Sequence, residues 1–212
     1  MLIRLESVQV TRGPFTLAAD GSFGPGIHLV SGPVGSGKST LALIMAGLLS
    51  PAGGTVCREG IGSLLLSLQF PEYHVTGSTL AEECASWGLD PGPILAAEGF
   101  GGLDARDPLT LSRGELKRLH LTCVLLRPCD LLLLDEPFSA LDCRQKEILS
   151  GRIAGRGGIT ILFTHEEEFL PRIDQYWEIA GGRLHDHGTG RHTRSGNNDE
   201  PGRPPESAGG PI

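Results

Sequence analysis

The stretch Gly32-Pro33-Val34-Gly35-Ser36-Gly37-Lys38-Ser39-Thr40 follows an apolar run at 27–30 and opens a helical pattern over 39–49. It reads G-x-x-x-x-G-K-[ST], in the strand, loop and helix context that gives this motif its chemistry. Glycines let successive backbone N–H groups turn inward around phosphate oxygens. The helix starting near Lys38 aims the positive end of its dipole at the same anion. Lys38 then reaches the outer phosphates and the Ser39 hydroxyl ligates Mg²⁺. A Gly-rich turn capping a helix would satisfy the same spacing without a ligand; the strand before it and the helix after it favour the phosphate site.

Outward from this loop, residues 1–180 alternate short apolar runs with longer helical patterns. Strands are expected at 2–10, 27–30, 64–68, 131–134 and 159–163, and helices at 39–49, 80–87, 114–127 and 144–153. Such alternation predicts an α/β fold with a largely parallel sheet, whose ligands gather at the carboxyl ends of the strands. The run Leu131-Leu132-Leu133-Leu134 stops at Asp135-Glu136-Pro137. Two carboxylates are too costly to leave inside a core, so they stand at the strand's end, facing a cation or solvent. Asp135 suits a Mg²⁺ contact, and Glu136 can orient and deprotonate a water that attacks a terminal phosphate. Thr164-His165 ends the apolar run at 159–163 in a comparable position. A histidine there can donate to a terminal phosphate or serve the structure alone.

Composition sets limits on the rest. The 212 residues include 18 basic and 25 acidic side chains, a formal net charge of −7, which argues against a non-specific nucleic-acid binder. The longest apolar run near the N-terminus, 41–49, has nine residues, against about 20 for a membrane-spanning helix. MLIRLESVQV lacks a secretory-signal pattern, so a cytoplasmic location is expected. Five cysteines without a CxxC pair read as reduced, mostly buried thiols. From Gly181 the last 32 residues hold eight Gly, four Pro and no Phe, Trp or Tyr. That composition predicts a disordered tail over 181–212, with His185, His187 and His192 either solvated or offered to a metal.

Between the phosphate loop and the acidic strand end stands Leu111-Ser112-Arg113-Gly114-Glu115, heading a helix that stops at Pro128. Taken alone, Ser112-x-x-Glu115 is a capping box. Taken with its neighbours, it is one of six segments in a fixed order: the phosphate loop, Gln69 after a strand, LSRGE, LLLLDEP with Asp135 23 residues after Ser112, Ser139-Ala140-Leu141-Asp142, and Thr164-His165. This order, covering residues 1–180, resembles the nucleotide-binding subunit of the ATP-binding cassette (ABC) superfamily. The resemblance implies a P-loop ATPase fold with a mostly parallel core, a small antiparallel β part and a compact helical subdomain at about 70–127. It implies ATP and Mg²⁺ as ligands. Residues 32–40 and Gln69 would hold the nucleotide, Ser39, Gln69 and Asp135 the metal, and Glu136 and His165 would serve hydrolysis.

The same resemblance implies a head-to-tail homo- or heterodimer in which Ser112, Gly114 and Asp142 reach the ATP of a second ABC ATPase subunit. A capped helix start is also an anion site, so both readings of Ser112 stand together. The implied partners are integral membrane transporter subunits, the implied place is peripheral on the inner face of the cell membrane, and a soluble non-transport ABC ATPase is the alternative. Gln69-Phe70-Pro71-Glu72-Tyr73-His74 is similar, more narrowly, to the glutamine segment of ATPases of energy-coupling-factor transporters, which import vitamins and transition-metal ions. Phe70, Tyr73 and Val75 would anchor a helix of the membrane subunit or pack within the subdomain.

Two departures stand out against the family pattern. Arg113 and Glu115 stand where Gly and Gln are usual; Glu115 brings negative charge toward the partner's nucleotide, and Arg113 would offset it. The adenine-stacking aromatic near the end of the first strand is missing. Arg12, through its guanidinium plane, or Phe15 would take that place.

Overall fold

The chain folds in the order β1 (Leu2–Arg12), β2 (Phe15–Phe23), β3 (Gly26–Ser31), α1 (Lys38–Ala46), β4 (Gly53–Glu59), β5 (Leu64–Ser67), α2 (Leu80–Ser86), α3 (Pro91–Ala97), α4 (Arg113–Leu126), β6 (Leu131–Asp135), α5 (Cys143–Ala154), β7 (Ile159–Phe163), β8 (Gln175–Ala180) and β9 (Arg183–Gly188). This is a computed structural model, and it describes residues 1–13 and 15–189. The strands form one sheet in the order β4-β1-β2-β9-β8-β3-β7-β6-β5. β5, β6, β7, β3 and β8 are mutually parallel. β1 pairs antiparallel with β2 and β4, and β8 with β9.

Alternate residues of a strand point to opposite sides of a sheet, and β6 uses both sides. Leu131 and Leu133 join one apolar cluster with Leu41, Ala42, Ile44 and Met45 of α1. Leu132 and Leu134 join a second with Leu121 and Val124 of α4 and Leu149 and Ile153 of α5. The four leucines are therefore uninterrupted because neither face meets water. Ile3, Leu5, Val10, Leu17 and Phe23 of β1 and β2 close over the far side of α1, so the helix that follows the phosphate loop is enclosed between the antiparallel wing and the parallel core. A third cluster, Leu80, Cys84, Ile94, Leu95, Leu116, Leu119 and Cys123, belongs to the helices of the 71–126 region. α4 is a shared wall, giving Leu116 and Leu119 to this cluster and Leu121 and Val124 to the sheet.

The structure corrects the boundary at 180. β9 lies inside the region expected to be a tail, paired antiparallel with β8 and in parallel with β2 through Ala18 and Arg183. The hairpin turns on Gly181 and Gly182, both at positive φ (56° and 73°), as a two-residue turn of this kind requires. Leu184 packs on the main core. The remainder of that expectation, 190–212 with His192, lies outside the described residues. His187 stacks on Tyr176 and its Nε2 lies 3.0 Å from Glu178; among the described residues no cluster of three His, Cys, Asp or Glu is arranged for a metal. The cysteines are all free, but only Cys84 and Cys123 are buried and Cys143 is exposed. Among the described residues no helix is long and apolar enough to cross a membrane.

Candidate active site

The phosphate loop joins β3 to α1. Gly37, at φ 105°, is the N-cap and supplies no side-chain cap, so the first N–H groups of α1 keep their donors. A Cβ on Gly37 would lie 2.5 Å from the Phe15 ring, so that position is closed to side chains by backbone angle and by contact. Val34 stands at the lip, 85% exposed. Lys38 is buried, its amine donating to the carbonyls of Gly32 (2.8 Å) and Pro33 (3.2 Å) and lying 3.6 Å from Glu136 Oε1.

Asp135 ends β6 and Glu136 follows it. Asp135 is buried and its Oδ1 has no hydrogen-bond partner. Burial pushes its carboxyl above the ordinary 3.8, while the Ser39 hydroxyl, Lys117 and Lys38 pull it back. Glu136 adopts φ 47°, a left-handed conformation rare for side-chain-bearing residues. Its N–H donates to the Phe163 carbonyl at 2.8 Å. Its carboxylate takes the Thr164 hydroxyl at 2.9 Å and meets His165 Nδ1 at 2.8 Å. Thr164 and His165 follow β7, which lies beside β6, so adjacent parallel strands deliver both partners of Glu136.

Phe15, Val34, Gly35, Gly37, Lys38, Ser39, Thr40, Gln69, Glu136 and His165 thus line one open cleft of about 480 Å³. Gly32, Pro33, Ser36 and Asp135 are not among the lining residues. A divalent cation fits the donors present: a buried carboxylate oxygen without a partner and the Ser39 hydroxyl beside it are hard oxygen ligands of the kind Mg²⁺ takes. Phe15 presents its aromatic ring on the cleft. Arg12 closes β1, and its side chain lies outside the described residues.

Ser112, Gly114 and Asp142 are not part of this cleft. Ser112 caps α4 in a full capping box with Glu115, and Asp142 caps α5 in another with Gln145. A Cβ on Gly114 would meet the Ala140 carbonyl at 2.7 Å, so the start of α4 is pressed against the loop leading to Asp142. Arg113 does not offset Glu115. Its Nε lies 3.5 Å from Glu72 and its guanidinium stands 5.1 Å over the Phe70 ring, while Glu115 is held by the Ser112 N–H and hydroxyl. Val75 packs on the helical cluster; Tyr73 is 74% exposed.

Sequence reading passes over Lys117. It lies on α4 at 1% exposure, pulled down to about 8 by burial, with Asp135, Glu136 and Glu72 opposing and Arg113 assisting. Its amine donates to the Gln69 carbonyl at 2.8 Å and the Glu136 carbonyl at 3.1 Å. A lysine in a helix ordinarily reads as a solvated face, so no local signal reports this one.

No family model matches the chain. An energy-coupling factor transporter ATP-binding protein of Thermotoga maritima is 35% identical, the match covering 74% of this chain and 69% of that protein. A thiamine import ATP-binding protein of Ruegeria sp. is 32% identical over 87% of this chain and 90% of that protein. A solved structure of an ATP-binding subunit of an ABC transporter superposes with a TM-score of 0.74, at 20% identity, covering 89% of this chain and 90% of that one.

Proposed function

The chain belongs to the ATP-binding proteins of ABC transporters, and from that premise we propose that it binds and hydrolyses ATP to drive solute import through separate membrane subunits. Within that class we assign it to the energy-coupling-factor type, on the glutamine segment at 69–74 and the likeness to the Thermotoga protein. One observation carries the hydrolytic reading: the Glu136 carboxylate, fixed by Thr164 and His165, stands 3.6 Å from the phosphate-loop amine.

In this reading the triphosphate lies along 32–40, its oxygens met by backbone N–H groups, the α1 dipole and Lys38. Ser39, Gln69 and Asp135 would hold Mg²⁺, which when bound spreads the negative charge that develops on the phosphoryl oxygens. Glu136 takes the proton of the attacking water, and His165 holds that carboxylate in place and faces the terminal phosphate. Phe15 offers its ring to the nucleobase. Ser112, Gly114 and Asp142 stand away from this cleft and would serve the ATP of a second ABC ATPase subunit, across a head-to-tail dimer seam. The membrane subunits would dock at Phe70 and Tyr73, placing the chain on the inner face of the cell membrane.

The test is Glu136→Gln. ATP binding should persist, turnover should fall about 10²–10⁴-fold, and the ATP-loaded variant should sediment as a dimer. Turnover equal to that of the unaltered chain refutes the assignment. Recovery from native membranes without integral membrane proteins would favour a soluble ABC ATPase instead.

A further inference from the structure

Among the described residues, the six motif segments account for every polar side chain lining the cleft but leave one buried cation unexplained. Lys117 lies two residues beyond the Ser112–Glu115 capping box, on the inner side of α4, at 1% exposure. Burying an ammonium is expensive unless its donors are satisfied, and the acceptors it reaches are main-chain carbonyls of two separate segments: Gln69 at 2.8 Å and Glu136 at 3.1 Å. Each carbonyl belongs to a residue whose side chain lines the nucleotide cleft. Glu136 is the residue at φ 47°, a conformation that persists only where the surroundings hold it. Its N–H is fixed by the Phe163 carbonyl, and its own carbonyl by Lys117 and by the Ser139 hydroxyl at 2.9 Å. The next residue, Arg118, turns the other way to Glu98, so it does not duplicate the contact.

We infer that Lys117 is a positioning residue for hydrolysis: by tying the Gln69 and Glu136 carbonyls to one ammonium on the signature helix, it sets where the Gln69 side chain and the Glu136 carboxylate point. The helix that caps on Ser112 and the carboxylate that activates water therefore share a joint. A displacement of α4 relative to the sheet shifts both cleft residues together. This inference rests on the ATPase reading above.

The experiment compares Lys117→Met, which keeps the length but not the donors, with Lys117→Arg, which keeps charge and donors. Unaltered chain and Glu136→Gln run alongside, and MgATP affinity, KM, kcat and thermal midpoint are measured for each full-length protein. Lys117→Met should bind MgATP within about twofold of the unaltered chain while kcat falls tenfold or more, because small misplacements of reacting groups are costly in rate. Lys117→Arg should recover most of kcat. A folded Lys117→Met with unchanged kcat, or one whose loss lies wholly in KM, overturns the inference. Should that variant not fold, Lys117→Gln, able to reach a single carbonyl, is read instead: a partial loss of kcat supports the inference, and a rate equal to the unaltered chain overturns it. An unaltered chain no faster than Glu136→Gln overturns the ATPase reading and this inference with it, whereas an active chain matched by Lys117→Met overturns this inference alone.

Discussion

Asp135→Asn should make the nucleotide-free protein more stable and the nucleotide-loaded protein comparatively less so. Asp135 is 2% exposed, its Oδ1 meets no donor, and burial raises its carboxyl above 3.8 even though Ser39, Lys117 and Lys38 act in the other direction. An unsatisfied buried polar group costs about 1–3 kcal/mol, and more when charged. With the two lysines offsetting part of this, removing the charge should return about 1 kcal/mol net, which is about 2–4 °C in Tm for a chain of this size. MgATP at 100 times its Kd would stabilise the unaltered chain by about 2.7 kcal/mol; the variant, lacking the negative charge proposed to face Mg²⁺, gains less, and the order of Tm inverts. The pH dependence has a fixed sign. A carboxyl raised in the folded state holds its proton more tightly there, so its penalty is present in full above the raised value and fades as pH falls toward 3.8. Calorimetry of both proteins, with and without MgATP across that range, decides the matter. A nucleotide-free variant that melts below the unaltered chain, or a Tm gap that does not close on acidification, refutes the reasoning.

Ser112→Ala removes a cap worth about 1 kcal/mol, so Tm should drop by about 2–4 °C. ATP affinity of the separate subunit should stay the same, since Ser112 is off the cleft, and turnover should fall more than the stability loss explains. Turnover that merely follows the folded fraction would leave the cap as its whole role. Phe15→Ala should weaken ATP binding about five- to tenfold, the worth of one aromatic contact, with inorganic triphosphate binding unchanged. Equal losses for both ligands in competition binding would take the nucleobase away from Phe15.

The parallel core was legible because burial on both faces leaves a mark in the chain: Leu131-Leu132-Leu133-Leu134 and Ile159–Phe163 are apolar without alternation, and the charges that break them fall at the strand ends. β4 escaped because its seven residues are all at least partly exposed and carry only a weak pattern. α3 escaped because Pro91 and Pro93 read as loop, although Asp90 caps it and Pro sits well at a helix start. At Gly181-Gly182 a local hairpin signal and a regional composition disagreed, and the local one governs the first eight residues. The phosphate-loop pattern is readable because its residues are consecutive. Lys117 is not, because its two acceptors lie 48 residues before it and 19 after it, and both are backbone atoms that any residue type could present.

β9 is the seam of the sheet, lying between β2 of the wing and β8 of the core. A chain shortened at residue 180, where composition changes, would expose two unpaired strand borders facing one another across the missing ribbon. The wing that covers α1 would lose its Ala18–Arg183 bridge to the core. Six residues that look dispensable by their letters thus join the wing to the core.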